Sequence, residues 1–294
     1  MEETGALRQF GKVFDGVADE YDAARPGYPA ELVDAALAAG ALDRHSRVLE
    51  LGCGTGKLTE LLVGRGLRIH AIEPGASLVE AARRRLGSTD AVRFDIARFE
   101  DAELAEEAYD AVFSGTAFHW LEPAVSWAKV AAVLKPGGLL ALLSYFGVHD
   151  ERSSELEEQL LGVLRRHAPE VADEYGLLLS LASIAAGAQQ RTANASDVWD
   201  WVMGEGRHAL AVPEAASLFD DVRVTTALSR TEETAERVVS IVRTTSLYFM
   251  VAPDRREAFA DDYRRTIESH GGTYPYSLAT VLMTARRAAG RAQT

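Results

Sequence analysis

Residues 48–59 read Val-Leu-Glu-Leu-Gly-Cys-Gly-Thr-Gly-Lys-Leu-Thr, an apolar strand that runs into three glycines at alternate positions and out into a helix. No other stretch limits the fold so severely. Gly52, Gly54 and Gly56 leave the main chain without Cβ atoms, so it can turn tightly, lie against a ligand and present its amides outward. Strand, glycine turn and helix in that order mark the first crossover of an α/β sheet and a place for a nucleotide-like molecule. Spacing narrows the class. The dinucleotide fingerprint needs Gly-x-Gly-x-x-Gly, but position 57 is Lys; the phosphate loop needs a glycine five residues before Gly56, where Leu51 stands. A glycine turn that serves packing alone is the other reading of this stretch.

From residue 47 to about 145, short apolar runs alternate with amphipathic segments, the pattern of parallel strands joined by crossover helices. Strands are expected at 47–51, 67–72, 91–94, 111–113 and 139–144. Helices are expected after the glycine turn to about Val63, over 76–86 with a break at Gly87, and over 123–134, closed by a Lys135-Pro136-Gly137-Gly138 turn. A further helix, 30–39, precedes the first strand. Beyond residue 150, helices are read at 151–167, 196–203, 231–244 and 254–270, and strands at 222–229 and 273–284.

The word Glu-x-Gly-x-Gly-x-Gly at 50–56 resembles the first motif of the class I S-adenosylmethionine-dependent methyltransferases. Other words share the likeness: Phe14-Asp15 through Tyr21, Arg25-Pro26-Gly27-Tyr28-Pro29, Ala117-Phe118-His119-Trp120-Leu121 and Leu134-Lys135-Pro136-Gly137-Gly138. Together, residues 10–30 and 47–145 are similar to the small-molecule branch that includes trans-aconitate-type carboxyl methyltransferases; the remainder resembles it in layout only. The resemblance implies an α/β, Rossmann-like, seven-stranded, mostly parallel sheet with helices on both faces and its last strand antiparallel. It also implies an N-terminal helical cap over the cofactor at 1–46, a core at 47–150 and 218–294, and a helical insertion at 151–217 forming an acceptor-side lid.

By the same likeness Glu50 helps hold the methionine ammonium of S-adenosyl-L-methionine, while Tyr21 and Arg25 approach the methionine end, Arg25 to pair with its carboxylate. Taken alone, Arg25 reads as a surface or salt-bridge residue. Glu73 follows Gly52 by 21 residues, close to the ~20 at which an acidic side chain meets ribose hydroxyls in nucleotide-binding α/β folds. Its other reading is a cap on the helix at Ser77. The family's acidic adenine position falls on Arg98, so Phe99, by backbone or ring, is the adenine candidate, with Glu100 second and core packing the alternative. Ser114 or Gly115, past the fourth strand, would reach the methionine part. His119 is then the candidate catalytic base for an acceptor hydroxyl, because imidazole titrates near neutrality; packing between Phe118 and Trp120 is its other role. A carboxylate acceptor would want a cation instead. Arg230, Arg243 and Tyr248 are acceptor-side candidates, and Tyr145, Phe146, Trp199, Trp201, Tyr248 and Phe249 suit a lid.

Formal net charge is −13, from 31 Lys plus Arg against 44 Asp plus Glu, so a polyanion is repelled over most of the surface. Nucleic acid is not an expected partner, and the Asn/Asp-Pro-Pro-Tyr word of base methylation is absent. A single Cys leaves no internal disulfide or Cys-based zinc centre, and no metal site is expected. No apolar run approaches the ~20 residues that span a bilayer, and Met-Glu-Glu-Thr-Gly lacks the regions of a signal peptide, so a cytoplasmic protein is expected. These readings converge on transfer of a methyl group to a small-molecule acceptor, with oxygen, hydroxyl or carboxylate, favoured. A cofactor-binding regulator that methylates nothing, and C- or N-methylation of a small molecule, are the competing classes.

Overall fold

Strand and helix alternate through the first half of the chain: α1 (Ala30–Gly40), β1 (Arg47–Leu51), α2 (Lys57–Val63), β2 (Arg68–Ile72), α3 (Ala76–Leu86), β3 (Val92–Asp95), β4 (Tyr109–Gly115), α4 (Pro123–Val133) and β5 (Leu134–Gly147). Five helices follow, α5 (Ser154–His167), α6 (Pro169–Tyr175), α7 (Leu181–Gln189), α8 (Ala195–Val202) and α9 (Ala215–Leu218). Then come β6 (Phe219–Thr234), α10 (Ala235–Arg243), α11 (Ser246–Met250), α12 (Arg256–Ser269) and β7 (Thr273–Arg287). The computed structural model describes residues 22–175, 178–206 and 208–289; Tyr21 lies outside the described residues.

The seven strands form one sheet in the order β3-β2-β1-β4-β5-β7-β6, with β7 antiparallel to both its neighbours and the rest parallel. The expected sheet is therefore present, its last strand reversed. β1 lies between β2 and β4 and is covered on both faces, which is why it reads as an apolar run rather than an alternation. One face packs Leu32 and Val33 of α1 and Leu58 and Leu62 of α2 against Val48, Phe113 and Leu143. The other packs Trp127 of α4 and Trp199 of α8 against Leu49, Val112, Leu140 and Met283. α3 ends as its sequence foretells, with Arg83, Arg84 and Arg85 in the last turn, where cations favour the helix carboxyl end, and Gly87 beyond it at φ +65°.

The stretch between β5 and β6 divides. Leu156 and Leu160 of α5 and Val171 of α6 join Val238 of α10, Phe259 of α12 and Tyr274 of β7 in a separate helical core. Ile184 of α7 and Val198 of α8 pack instead with the sheet.

Among the boundaries that differ from expectation, two have a plain physical cause. The helix expected from 231 begins at Ala235, because β6 continues to Thr234, whose hydroxyl accepts the Arg237 amide. β6 is the sheet's edge and is mostly exposed, so its Arg230-Thr231-Glu232-Glu233 run is polar without ceasing to pair with β7. Lys135 to Gly138 belongs to β5, but pairing with β4 skips from Tyr109↔Leu134 to Ala111↔Leu139 and Gly137 has φ +73°, so the tetrapeptide bulges out of the ladder.

Candidate active site

The parallel strands bring their carboxyl ends to one edge. Strand order reverses between β1 and β4, which opens a crevice at that edge. Because β7 runs the other way, its first residues arrive at the same edge: Leu278 stands opposite Gly147 at the end of β5. β6 delivers α10 there too. These elements enclose a cavity of about 780 Å³ that runs from the glycine turn to the starts of β7 and α10.

At the glycine end, Gly52 donates its amide to the Ile72 carbonyl at 2.8 Å and sits at φ +67°, where a Cβ would lie 2.4 Å from that of Ala117. No other residue fits there. Gly54 has φ +52°, and a Cβ there would meet nothing within 4 Å: it would project into the cavity. Its amide donates to Glu73 Oε2 at 3.0 Å, and the Gly75 amide donates to Oε1 at 2.9 Å, which pins this carboxylate just past β2. Glu73 thus caps the approach to α3 and lines the cavity at once. Glu50 is 1% exposed, and its Oε2 has no hydrogen-bond partner among the described residues. Burial, reinforced by the negative charge of Glu73, pushes its carboxyl up to about 8. Cys53 is buried, and burial pushes its thiol up, which makes it inert.

Arg25 lines the cavity and donates Nη2 to the Thr244 carbonyl at 2.6 Å, with its guanidinium 6.0 Å from the Tyr145 ring centre. Phe99 also lines it, yet its ring is buried in the core with the Lys129 ammonium 5.1 Å from its centre. Ser114 does not reach the cavity: its hydroxyl turns into the sheet and donates to the Leu51 carbonyl at 2.9 Å, and Gly115, Thr116 and Ala117 form the wall instead. His119 lies in the wall at 5% exposure, its ring 4.6 Å from that of Trp120 and 5.0 Å from that of His208. Burial, with the nearby His208 and Arg25, holds it well below the usual imidazole range, so it is neutral at pH 7. Of the expected lid aromatics, Tyr145, Phe146 and Trp201 face the cavity; Trp199 is core, and Tyr248 donates to Glu257 at 2.8 Å away from it. Arg230 and Arg243 are also elsewhere, paired with Asp150 at 3.5 Å and Glu257 at 2.5 Å.

Several wall residues escape a reading of the sequence, among them His208, Met203 and Tyr276. Asp22 escapes it too: it accepts from the Thr55 hydroxyl at 2.6 Å and from Arg85 Nη2 at 2.6 and 2.7 Å, which binds the segment before α1 to the glycine turn. The His119-Trp120 word was a signal for its own surroundings, but no spacing announces that β7 will bring Tyr276 into the wall of the same cavity.

A doubly wound sheet with a glycine turn, two carboxylates and a crevice at its switch point defines a Rossmann-like α/β protein. Residues 49–142 match the family model described as a methyltransferase domain. The chain is 30% identical over 183 residues to trans-aconitate 2-methyltransferase of Paracidovorax citrulli, covering 56% of this chain and 70% of that one. It is 37% identical over 155 residues to a protein of Mycobacterium tuberculosis named as an uncharacterized methyltransferase, covering 53% of this chain and spanning 60% of that relative's length. Among solved structures, a chain from Anaeromyxobacter dehalogenans provisionally assigned as a type II methyltransferase shares the fold, with a TM-score of 0.56, 19% identity and coverage of 90% of this chain and 97% of that one. A 4+2 cyclase shares it as well, at a TM-score of 0.51, 15% identity and 97% coverage of each chain. The chain belongs to the class I S-adenosylmethionine-dependent methyltransferase family.

Proposed function

We propose that the protein binds S-adenosyl-L-methionine in the glycine-turn end of the cavity and methylates an oxygen of a small molecule held at the other end. The observation that carries this reading is Glu50, a carboxyl group buried in a central strand with an oxygen that has no hydrogen-bond partner among the described residues. A buried polar atom left so costs stability unless a ligand completes it, and a cation such as the methionine ammonium would do so by pairing with the carboxylate form. The surroundings suit the cofactor: Gly54 leaves open space where a side chain would intrude, and Glu73, fixed by two amides, would meet the ribose hydroxyls. Phe99 and its neighbours Ala97 and Arg98 form the wall for the adenine, and Arg25 the wall toward the methionine.

When bound, S-adenosylmethionine supplies a sulfonium-activated methyl group whose transfer to a hydroxyl leaves S-adenosylhomocysteine and releases the hydroxyl proton. The chain's own work is to hold the acceptor in line and exclude water, which the enclosing helices α8 and α10 serve. In this reading His119, neutral and in the wall, receives the proton. Residues 22–46 cap the cofactor end and the helices after β5 form the acceptor wall. The relative named for trans-aconitate supports a small-molecule acceptor, and the acidic charge of the chain argues against nucleic acid.

Calorimetric titration with S-adenosylhomocysteine, followed by transfer of labelled methyl from S-adenosylmethionine to a metabolite panel, tests the reading. Binding and a labelled product are expected. Binding with no product on any acceptor would favour a cofactor-sensing protein, and no binding would end the proposal.

A further inference from the structure

The two ends of the cavity differ in charge. Among the described residues lining it, the carboxylates are Glu50, Glu73, Glu100 and Glu122 and the cations are Arg25, Lys57 and Arg98. Lys57 is 3.5 Å from Asp22 and Arg98 is 3.5 Å from Glu100, so both are committed to neighbours at the cofactor end. Among the described lining residues the remaining cation is Arg25, and it already donates to the Thr244 carbonyl. Toward α8, α10 and β7 the described lining is mostly aliphatic or aromatic, with Val238 and Val242 from α10, Trp201 from α8, and Tyr276 and Leu278 from β7, and its uncharged polar side chains include Ser144, Thr245 and Ser246. Burial pushes the Tyr276 phenol up, so it stays uncharged, and His119 is held neutral.

A polycarboxylate entering such a space would lose its hydration and meet, among the described residues, one cation that is already hydrogen-bonded to a carbonyl. Desolvated charges need partners, and the described wall offers few. An apolar body gains about 25 cal/mol for each Å² it buries, and ring walls add edge or offset contacts with a flat partner.

Building on the methyl-transfer reading, we propose that the acceptor is an uncharged, largely apolar molecule with a hydroxyl on an aromatic or polycyclic body, and that this cavity excludes polycarboxylates. The polar groups of the described wall, among them His119, His208, Ser144, Thr245 and the tyrosines, are uncharged donors and acceptors suited to orienting a hydroxyl.

The test uses the full chain with S-adenosylhomocysteine titrated first by calorimetry. Then 2-naphthol, as the neutral probe, and trans-aconitate, as the tricarboxylate, are each titrated at saturating S-adenosylhomocysteine, followed by calorimetry and by tryptophan fluorescence. The expected result is a Kd for 2-naphthol at least tenfold below that for trans-aconitate. A Val242→Arg variant, checked for folding by thermal melting, should narrow or reverse that preference. Equal or tighter binding of trans-aconitate by the unaltered protein, or binding of neither probe, would overturn the proposal. Failure of S-adenosylhomocysteine itself to bind would instead strike the methyl-transfer reading, whatever the two probes do.

Discussion

At position 50 the fold sets a carboxyl group in the middle of a central strand, next to a second one at position 73, and leaves it protonated up to about 8. Its unfolded counterpart titrates near the ordinary glutamate value. The folded value is the higher, so this group's contribution to the unliganded fold is fully present below the unfolded pKa and is lost as pH rises through about 8. Cofactor binding runs the other way. If Glu50 pairs with a ligand ammonium as its carboxylate, binding releases a proton below pH 8, and affinity for S-adenosylhomocysteine rises between pH 6 and 8 by up to about tenfold per unit. Calorimetry in two buffers of different ionisation enthalpy should detect that proton; a flat affinity over this range would rule the pairing out. Glu50→Gln should weaken binding by about 1.5–3 kcal/mol, roughly 10- to 150-fold, the worth of a hydrogen bond to a charged group, while the unliganded variant melts higher than the parent at pH 9. The positions of Glu50, Glu73 and the glycines at the cavity were legible in the sequence because they are set by a strand, a turn and a fixed spacing, all local. Ser114 was not: one residue's shift along β4 decides which side chains face the cavity, and Ser114 faces Leu51 while Gly115 forms the wall.

Elements carry the next level of argument, because the walls are only as fixed as the helices that bear them. Trp201 of α8 lies flat enough on α7 that a Cβ at Gly187 would stand 2.2 Å from its ring. Its indole donates to the Ile184 carbonyl at 3.0 Å, and Arg191 covers the ring at 4.2 Å. In an unobstructed helix interior, glycine to alanine gains about 1 kcal/mol; here the new methyl must displace the ring. Gly187→Ala should therefore raise the Kd of a neutral aromatic probe about tenfold and leave the Kd of S-adenosylhomocysteine unchanged, as measured by tryptophan fluorescence and calorimetry. A variant that melts higher and binds the probe normally would show that Trp201 is not held this way. The segment before α1 is fastened separately, by Asp22 to Thr55 and Arg85, by Arg25 to Thr244, and by the Ala23 carbonyl to Arg237. Asp22→Ala should loosen it, giving several-fold weaker S-adenosylhomocysteine binding and faster proteolytic cleavage within 22–28, with little change in global melting. The crossover helices were readable from apolar spacing and their glycine and proline ends. β6 was cut short on paper because a polar edge strand has the composition of an exposed helix, and only pairing with β7 separates the two.

Across the whole molecule, the cavity is where three separately packed bodies meet: the two faces of the sheet and the helical core of α5, α6, α10 and α12. The sequence discloses the first two because parallel strands and their helices are neighbours along the chain. The third is assembled from segments about a hundred residues apart, and nothing in either segment names the other. It is joined to the sheet beside the cavity by a polar cluster: Ser277 of β7 donates to Asp150 at 2.5 Å, Arg152 pairs with the same carboxylate at 2.9 Å, and Ser153 donates to the buried Glu157 at 2.6 Å. A cofactor bound at the glycine turn would touch the sheet directly, and the fastening of residues 22–25 to Thr244 and Arg237 would extend its influence to α10 in the helical body. Hydrogen exchange should show this. Adding S-adenosylhomocysteine is expected to slow exchange in the turn 52–56, in residues 22–28 and at the carboxyl end of α10, and to leave α5 and the outer face of α12 unchanged. Saturation at 100 times Kd would add about 2.7 kcal/mol to global stability by mass action alone, so comparison must be made at amides that open locally rather than by global unfolding. Protection confined to the turn would mean that the two bodies respond independently, and that the acceptor wall is formed before any cofactor arrives.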